Sequence, residues 1–134
     1  MQTVSEKTND FAARYTAAWC GGDPARVAEF YAPNGSLAIN GGPASVGRAA
    51  IAGAARGFMQ AFPDLRVVMD ELVAKGTQFV YRWTLTGTNT GPGGTGNRVR
   101  ISGYELWTIG DDGLIAESKG TFDSGEYERQ IRGG

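Results

Sequence analysis

The order of apolar and polar residues divides the chain into a helical first half and a strand-rich second half. From about Ser5 to Cys20, apolar residues recur three or four positions apart, which predicts an amphipathic helix. Asp23 followed by Pro24 predicts the capped start of a second, short helix. We expect the apolar side of that helix to include Phe30 and Tyr31.

A third helix is predicted from about Val46 to Phe62, where Pro63 stops it because proline cannot continue the hydrogen-bond pattern. Between the second and third helices, residues 33–35 have the composition of a turn and residues 36–40 that of a short strand. A short closing helix is predicted at residues 124–130.

Alternation with a period of two predicts four longer strands after the third helix. Their expected limits are 65–75, 78–88, 98–109 and 114–122. On the first of them, one side is expected to carry Leu65, Val67, Met69, Glu71 and Val73. Short turns between consecutive strands predict an antiparallel meander. We therefore expect one α+β domain over residues 1–134, a cone-shaped curved antiparallel sheet wrapped around three N-terminal helices, with an internal cavity for a small molecule.

Composition limits the classes of function. The 134 residues are 41% hydrophobic and 20% charged, which is ordinary for a globular domain. The net charge of −1 gives no reason to expect a nucleic-acid partner or an anionic membrane surface. No apolar run is long enough to span a membrane, and the N-terminus lacks a segment of signal-peptide type. Cys20 is the only cysteine, so a reducing, cytoplasmic location is the simplest expectation.

The chain contains no histidine, which removes the commonest general base and the commonest metal ligand. A zinc or non-haem iron site would need carboxylates alone, so no metal site is expected. Residues 91–96 fit the glycine spacing of a dinucleotide-binding loop, but a predicted strand follows them where that loop requires a helix. We therefore expect no cofactor.

Two carboxylates are candidates for acid–base chemistry. Asp123 stands where the last strand meets the closing helix, a position that favours a helix N-cap. Glu126, three residues later, completes a loose capping box, so capping and catalysis are both open for Asp123.

Glu105 is the second candidate, because it is the carboxylate on an otherwise apolar face of the strand at 98–109. A buried carboxyl group is costly unless it is paired or protonated, and its pKa is expected to rise. A general acid or a neutral hydrogen-bond donor would need such a pKa. The alternatives are a salt bridge to Arg82 or Arg100, or a bulge that turns Glu105 outward.

Aromatic residues on the predicted inner faces are candidates for the cavity wall. Tyr15 lies on the apolar stripe of the first helix, where such a residue is more often core, although its hydroxyl could donate to a substrate oxygen. The expected substrate-binding residues are Trp19, Asn40, Phe58, Trp83 and Trp107.

Several short motifs occur in an order that is specific as a set. They are the hairpin at 88–98, the turn and strand at 112–117, Asp123, Gln130, and the opening helix 11–19 followed by Gly22 and Asp23. With these residues the chain resembles the SnoaL-like polyketide cyclase branch of the nuclear transport factor two-like superfamily, which also includes ketosteroid isomerases and limonene epoxide hydrolases. The resemblance covers nearly the whole chain and implies a cystatin-like fold.

The resemblance also implies roles for individual residues. Asp123 falls on the acidic residue that acts as acid or base in the cyclases. Tyr15 matches the oxyanion-hole tyrosine of the ketosteroid isomerases, and Glu105 is similar in place to their protonated oxyanion-hole aspartate. The general base of those isomerases falls near Ile39 or Asn40, where this chain has no carboxylate.

The epoxide hydrolases use a set of three catalytic residues, Asp–Arg–Asp. In this chain only the arginine has a counterpart, which is Arg82. Thr84 and Gly120 stand near the two acid positions. The family also contains members that bind ligands without catalysis, so the fold leaves the activity open.

The leading hypothesis is an acid–base enzyme that cyclises or isomerises a small, apolar, carbonyl-bearing substrate. Asp123 would remove a proton next to the carbonyl, and Tyr15 with a neutral Glu105 would hydrogen-bond the enolate oxygen.

The competing hypothesis is a non-catalytic domain that binds a small ligand or dimerises. A homodimer is expected through the outer face of the sheet, where Val80, Tyr104 and Leu106 are apolar.

Overall fold

The computed structural model describes residues 4–133, which form four helices and six strands. The helices are α1 (Glu6–Cys20), α2 (Pro24–Ala28), α3 (Arg48–Ala61) and α4 (Ser124–Arg132). The strands are β1 (Tyr31–Ile39), β2 (Ser45–Val46), β3 (Arg66–Lys75), β4 (Gln78–Thr88), β5 (Arg98–Ile109) and β6 (Ile115–Phe122). The α+β class and the boundaries of the long strands were therefore predicted correctly.

The six strands form one sheet in the order β2-β1-β6-β5-β4-β3. The segment from β3 to β6 is the predicted antiparallel meander. The expectation of an antiparallel sheet is wrong at one pair, because β1 runs parallel to β6. A parallel pair needs a long connection, and here α3 and the rest of the meander provide it.

The first strand begins earlier than predicted. Tyr31 belongs to β1 rather than to the short helix, and it pairs with Ile115 of β6. Residues 33–35 lie within β1, where the pairing register with β6 is irregular, instead of forming a turn between elements. A side chain at Gly35 would come within 2.7 Å of the Ile115 carbonyl oxygen, so this close approach requires glycine.

Strand β3 departs from the predicted alternation at a bulge. Met69 pairs with Trp83 and Glu71 with Arg82, so Asp70 is the extra residue. One inserted residue shifts the period-two pattern to the other face. Beyond the bulge Leu72 packs on the core, whereas Glu71, predicted to share a face with Met69, forms an exposed ion pair.

The helices cover the inner face of the sheet. Ser5 caps α1 by accepting a hydrogen bond from the Thr8 amide, and α3 follows Gly47, whose φ of 89° is unfavourable for other residues. The largest fully buried side chains are Trp107, Tyr15, Tyr31, Tyr81 and Phe62. Within residues 4–133, no helix is both long and apolar enough to cross a membrane.

Candidate functional site

A chamber remains between the inner face of the sheet and the helices. The centre of a water-sized sphere can occupy about 60 Å³ of it, and all the space between its atoms, open mouth included, is about 670 Å³. Its wall is almost entirely apolar, and its large aromatic members are Trp19, Phe58, Tyr81, Trp83, Phe122 and Tyr127. Among the residues that the structure describes, Glu105 is the one carboxyl-bearing residue on this wall. An apolar pocket with a single carboxyl group suits a small molecule of low polarity.

Glu105 is held by three side chains that donate hydrogen bonds to its carboxyl group. Its Oε1 atom accepts from Ser118 Oγ at 2.8 Å, from Trp107 Nε1 at 2.9 Å and from the Tyr15 hydroxyl at 3.0 Å. The other oxygen, Oε2, has a 3.3 Å contact with the same Tyr15 hydroxyl, and a hydrogen bond from the Tyr31 side chain also acts on the carboxyl group. Oε1 is therefore saturated, whereas Oε2 keeps capacity to carry a proton or to meet a ligand.

Burial dominates the electrostatics of this group. Glu105 is 8% exposed, and desolvation raises its pKa above the ordinary value for a glutamate. The hydrogen bonds from Trp107, Ser118 and Tyr15 act in the opposite direction, because they stabilise the carboxylate, but they do not cancel the effect of burial. The predicted rise in the pKa is confirmed, and the alternative of an ion pair with Arg82 is wrong, because Arg82 pairs with Glu71 at 3.5 Å.

Tyr15 lies behind Glu105 rather than on the chamber wall. Its side chain is fully buried, and its hydroxyl lies 2.9 Å from the hydroxyl of Tyr31. A phenol has one proton to donate, so when Tyr15 donates to Glu105, Tyr31 donates to Tyr15. Burial raises the pKa of both tyrosines well above the usual value, which keeps both hydroxyls protonated. The chain therefore provides a buried relay of two hydroxyl groups that orients Glu105.

Asp123 is found at a different place from Glu105. Its exposed carboxylate accepts a hydrogen bond from the Glu126 amide at 3.0 Å and caps α4, as the capping interpretation predicted. Asp123 borders an open hollow of about 490 Å³ on the outer side of the sheet together with Asp70 and Arg82. The expectation that Asp123 points into the chamber is wrong, because the free amides at the start of α4 hold its carboxylate outside.

The predicted substrate-binding residues separate into two groups. Trp19, Phe58 and Trp83 line the chamber as expected. Asn40 does not, because it is exposed and its side-chain oxygen accepts from the Phe122 amide at 2.9 Å. Trp107 is fully buried behind the wall, where it stacks on Tyr81 and donates to Glu105.

Sequence analysis missed three participants in the site. Tyr31 was assigned to a helix, and Tyr127 lines the chamber from α4, an element predicted only as a closing helix. Ser118 is fully buried beside Glu105. Its signal was available, because Ser118, Gly120 and Phe122 alternate along β6 and small residues on an inner face leave room for a neighbouring side chain.

The described residues contain no group of three or more cysteine, aspartate and glutamate side chains close enough to hold a metal ion. The glycine-rich segment at 91–96 joins β4 to β5, two strands, as predicted, and does not lead into a helix.

Comparisons with known proteins agree with this architecture. The model of the SnoaL-like domain matches residues 12–118, whereas no curated protein is significantly similar. A proposed SnoaL-like polyketide cyclase from Jannaschia sp. CCS1 superposes with a TM-score of 0.85 at 21% identity, over 100% of this chain and 99% of that one. TsrD from Streptomyces laurentii gives 0.82 at 25% identity, over 97% and 98% of the two chains.

A third solved structure is a hypothetical protein from Catenulispora acidiphila with a ketosteroid isomerase-like fold, in complex with trimethylamine. Its TM-score is 0.81 at 16% identity, over 97% of this chain and 95% of that one. These structures establish the predicted fold, and the family model covers most of the sequence. The protein is therefore a member of the SnoaL-like family, with the fold of the ketosteroid isomerases.

Proposed function

We propose that the protein is an acid–base enzyme that moves a proton on a small, apolar, carbonyl-bearing molecule, and that Glu105 carries the proton. The observation on which this depends is a buried carboxyl group on the wall of an apolar chamber. One oxygen of that group accepts from three donors, and the other has a longer contact, of 3.3 Å, with the Tyr15 hydroxyl. This role replaces the one predicted for Asp123.

The environment of Glu105 suits proton transfer near neutral pH. A general acid or base works best when its pKa lies close to the pH of operation, and burial moves the pKa of Glu105 in that direction. The apolar wall also excludes water, which strengthens the interaction between Oε2 and a ligand oxygen or C–H group.

Tyr15 acts on the reaction through Glu105. It does not line the chamber, so it is a positioning residue rather than a donor to an enolate oxygen. Together with Trp107 and Ser118 it fixes the plane of the carboxyl group and leaves Oε2 available. Fixed orientation supports rapid proton transfer because the reacting atoms start close to their required geometry.

The family membership supports this class of reaction. The Jannaschia relative is a proposed polyketide cyclase, and cyclisation or isomerisation of a ketone begins with removal of a proton next to the carbonyl group. The substrate therefore needs an acidic C–H bond beside a carbonyl, within an otherwise apolar frame that fits the chamber.

The experiment measures deuterium uptake next to the carbonyl in a panel of small apolar ketones, dissolved in D₂O with the protein. Exchange needs only the first proton transfer, so it detects the activity without knowledge of the final product. We expect exchange above the buffer rate with the wild type and a loss of at least about 100-fold in Glu105→Gln. Asp123→Asn is the matched control and retains exchange. Loss of exchange in Asp123→Asn with retention in Glu105→Gln would reverse the assignment.

Ligand binding without turnover is the second candidate. It is favoured by the absence of a second carboxyl group on the chamber wall within residues 4–133, since many acid–base sites use a pair. Binding of a ketone that is independent of pH between 5 and 8, with no exchange, is the result that supports this candidate.

We also propose a homodimer through the outer face of the sheet. Val80 pairs with Leu106, and Arg82 with Tyr104, on the side of β4 and β5 that faces away from the chamber. Tyr104 is 38% exposed there, which is unusual for a large aromatic residue. Light scattering coupled to gel filtration is expected to give twice the monomer mass, and Tyr104→Glu to give the monomer.

A further inference from the structure

One buried side-chain donor among residues 4–133 has no acceptor. Trp83 Nε1 is sealed from solvent and meets no hydrogen-bond acceptor, and among the described residues no other buried side-chain nitrogen or oxygen is in this condition. An unpaired buried N–H group is rare in folded proteins and costs free energy, so each case calls for a physical explanation.

The surroundings of Trp83 place this indole at the chamber. Trp83 lies on the inner face of β4 and lines the chamber wall. Its partner on β5 is Gly103, where an added Cβ would come within 2.7 Å of the indole. Phe122 on β6, the other partner of Gly103, meets the Trp83 ring edge-on with ring centroids 6.0 Å apart. Glycine at position 103 therefore makes room for an indole that has no polar partner in the protein.

The contrast with Trp107 shows that a tryptophan on this sheet can be fully satisfied. Trp107 Nε1 donates to Glu105 at 2.9 Å, and the residue lies behind the wall. Two residues of similar chemistry on neighbouring strands thus differ in one respect. The N–H of Trp107, behind the wall, has an acceptor from the protein, whereas the buried N–H of Trp83, a residue of the wall, has none.

We propose that Trp83 determines ligand specificity by donating its indole N–H to an acceptor oxygen, a carbonyl or an ether, of an otherwise apolar ligand. The inference rests on the proposed function in that both use the same chamber, but it does not require Glu105 to move a proton. An indole N–H only donates, so it selects against ligands without an acceptor. The free energy gained from this hydrogen bond offsets the cost of rotating the Trp83 side chain so that its N–H reaches the ligand.

The positions of Trp83 and Glu105 fit one small molecule. Trp83 is opposite Gly103, and Glu105 lies two residues further along β5 on the same face. Such diagonal neighbours have Cα atoms about 7–8 Å apart. A ligand whose oxygen accepts from Trp83 can therefore place an adjacent part of its carbon frame near Glu105.

The test uses cyclohexanone and methylenecyclohexane, which have nearly the same shape but differ in the acceptor oxygen. The protein carries ¹⁵N in its indole groups, and its three tryptophans give three N–H signals. The signal absent from Trp83→Phe is assigned to Trp83. Trp19→Phe is the matched control, because Trp19 is also an indole on the chamber wall.

We expect cyclohexanone to move the Trp83 N–H proton signal downfield and to bind about fivefold more tightly than its isostere, the factor that one hydrogen bond of ordinary net strength provides. The ratio should fall to about one in Trp83→Phe and persist in Trp19→Phe, as expected from the same hydrogen bond. Equal affinity of the two ligands for the wild type, survival of the ratio in Trp83→Phe, or no saturable ketone binding would each overturn the proposal. A preserved ratio without deuterium exchange would instead refute only the acid–base function.

Discussion

Glu105 on β5 and Asp123 at the end of β6 are carboxylates from neighbouring strands, yet their surroundings are opposite. Glu105 faces the apolar chamber, is 8% exposed and has a raised pKa. Asp123 is exposed on the outer side, where it caps α4. The two residues have nearly the same chemistry, so their different roles come from the face of the sheet on which each one lies.

The comparison shows how an apolar wall and a helix start act on a carboxyl group. The chamber keeps water away from Glu105. Its carboxyl group is therefore stabilised either by protonation or by hydrogen bonds from donors within the protein. The first turn of α4 instead offers the exposed Asp123 a backbone amide, from which its carboxylate accepts a hydrogen bond as an N-cap. The outer group therefore stabilises a helix, and the inner group is the one to which we assign proton transfer in our proposal.

The largest effect on stability is expected from Glu105→Leu. This change leaves the Trp107 N–H without an acceptor and removes the partner of Ser118 and Tyr15. We expect the free energy of unfolding to fall by about 2–3 kcal/mol. Glu105→Gln is the control, because the glutamine amide oxygen can still accept from Trp107. The loss of unfolding free energy in this variant should be clearly smaller. Urea denaturation measures both, and a Leu variant as stable as the wild type would contradict the network.

The pH dependence of stability provides a second way to separate the two carboxylates. The pKa of Glu105 is raised in the folded state, so folded protein holds this proton at pH values where the unfolded chain has lost it. Its contribution is fully present below the unfolded pKa of about 4.3 and is lost as the pH rises through the folded pKa.

The free-energy difference between wild type and Glu105→Gln should therefore fall with rising pH above about 4.3, by at most about 1.4 kcal/mol per pH unit. Hydrogen bonds from Arg129 and Gln130 lower the pKa of Glu126 to about 2. The titration of Glu126 affects wild type and variant equally, so it cancels from the difference between them. Unfolding curves from pH 4 to 8 test this, and a difference that grows with pH would give the wrong sign.

Asp123→Ala should cost about 1 kcal/mol of stability, because the Glu126 amide at the start of α4 loses its acceptor. Asp123→Asn keeps an oxygen at the same place and is expected to be nearly neutral. Neither change should reduce deuterium exchange. Thermal unfolding and the exchange assay together check this pair, and an Asp123→Ala variant of unchanged stability would argue against a capping role.

The smallest effect is expected from Tyr15→Phe. The Tyr15 hydroxyl lowers the pKa of Glu105 by donating to its carboxylate, so its removal should raise that pKa further. In a plot of exchange rate against pH, the rise of the rate on the acid side should then move to higher pH. The rate at high pH should change only a few-fold. Phe11→Leu, which removes an aromatic ring of α1 that has no hydrogen-bonding group, is expected to leave this rise in place. An unmoved rise in Tyr15→Phe would show that the tyrosine serves packing alone.

Much of the fold and part of the site could be predicted from local pattern. Period-two alternation placed Glu105 on the inner face of β5, and its pKa direction followed from burial. The bulge at Asp70 could not be predicted, because the alternation along β3 looks continuous while the insertion depends on pairing with β4. The parallel pairing of β1 with β6 could not be predicted either, because it depends on contacts between segments far apart in the chain.

The sequence by itself determined the α+β class, the meander and the capping potential of Asp123, and it made Glu105 a candidate for the inner face, because these depend on periodicity and on neighbours within a few residues. Only the tertiary structure decided which donors meet Glu105, that Asp123 lies outside the chamber, and that the Trp83 N–H has no acceptor. Those outcomes depend on side chains far apart in the chain, whose distances are set when the helices close over the sheet.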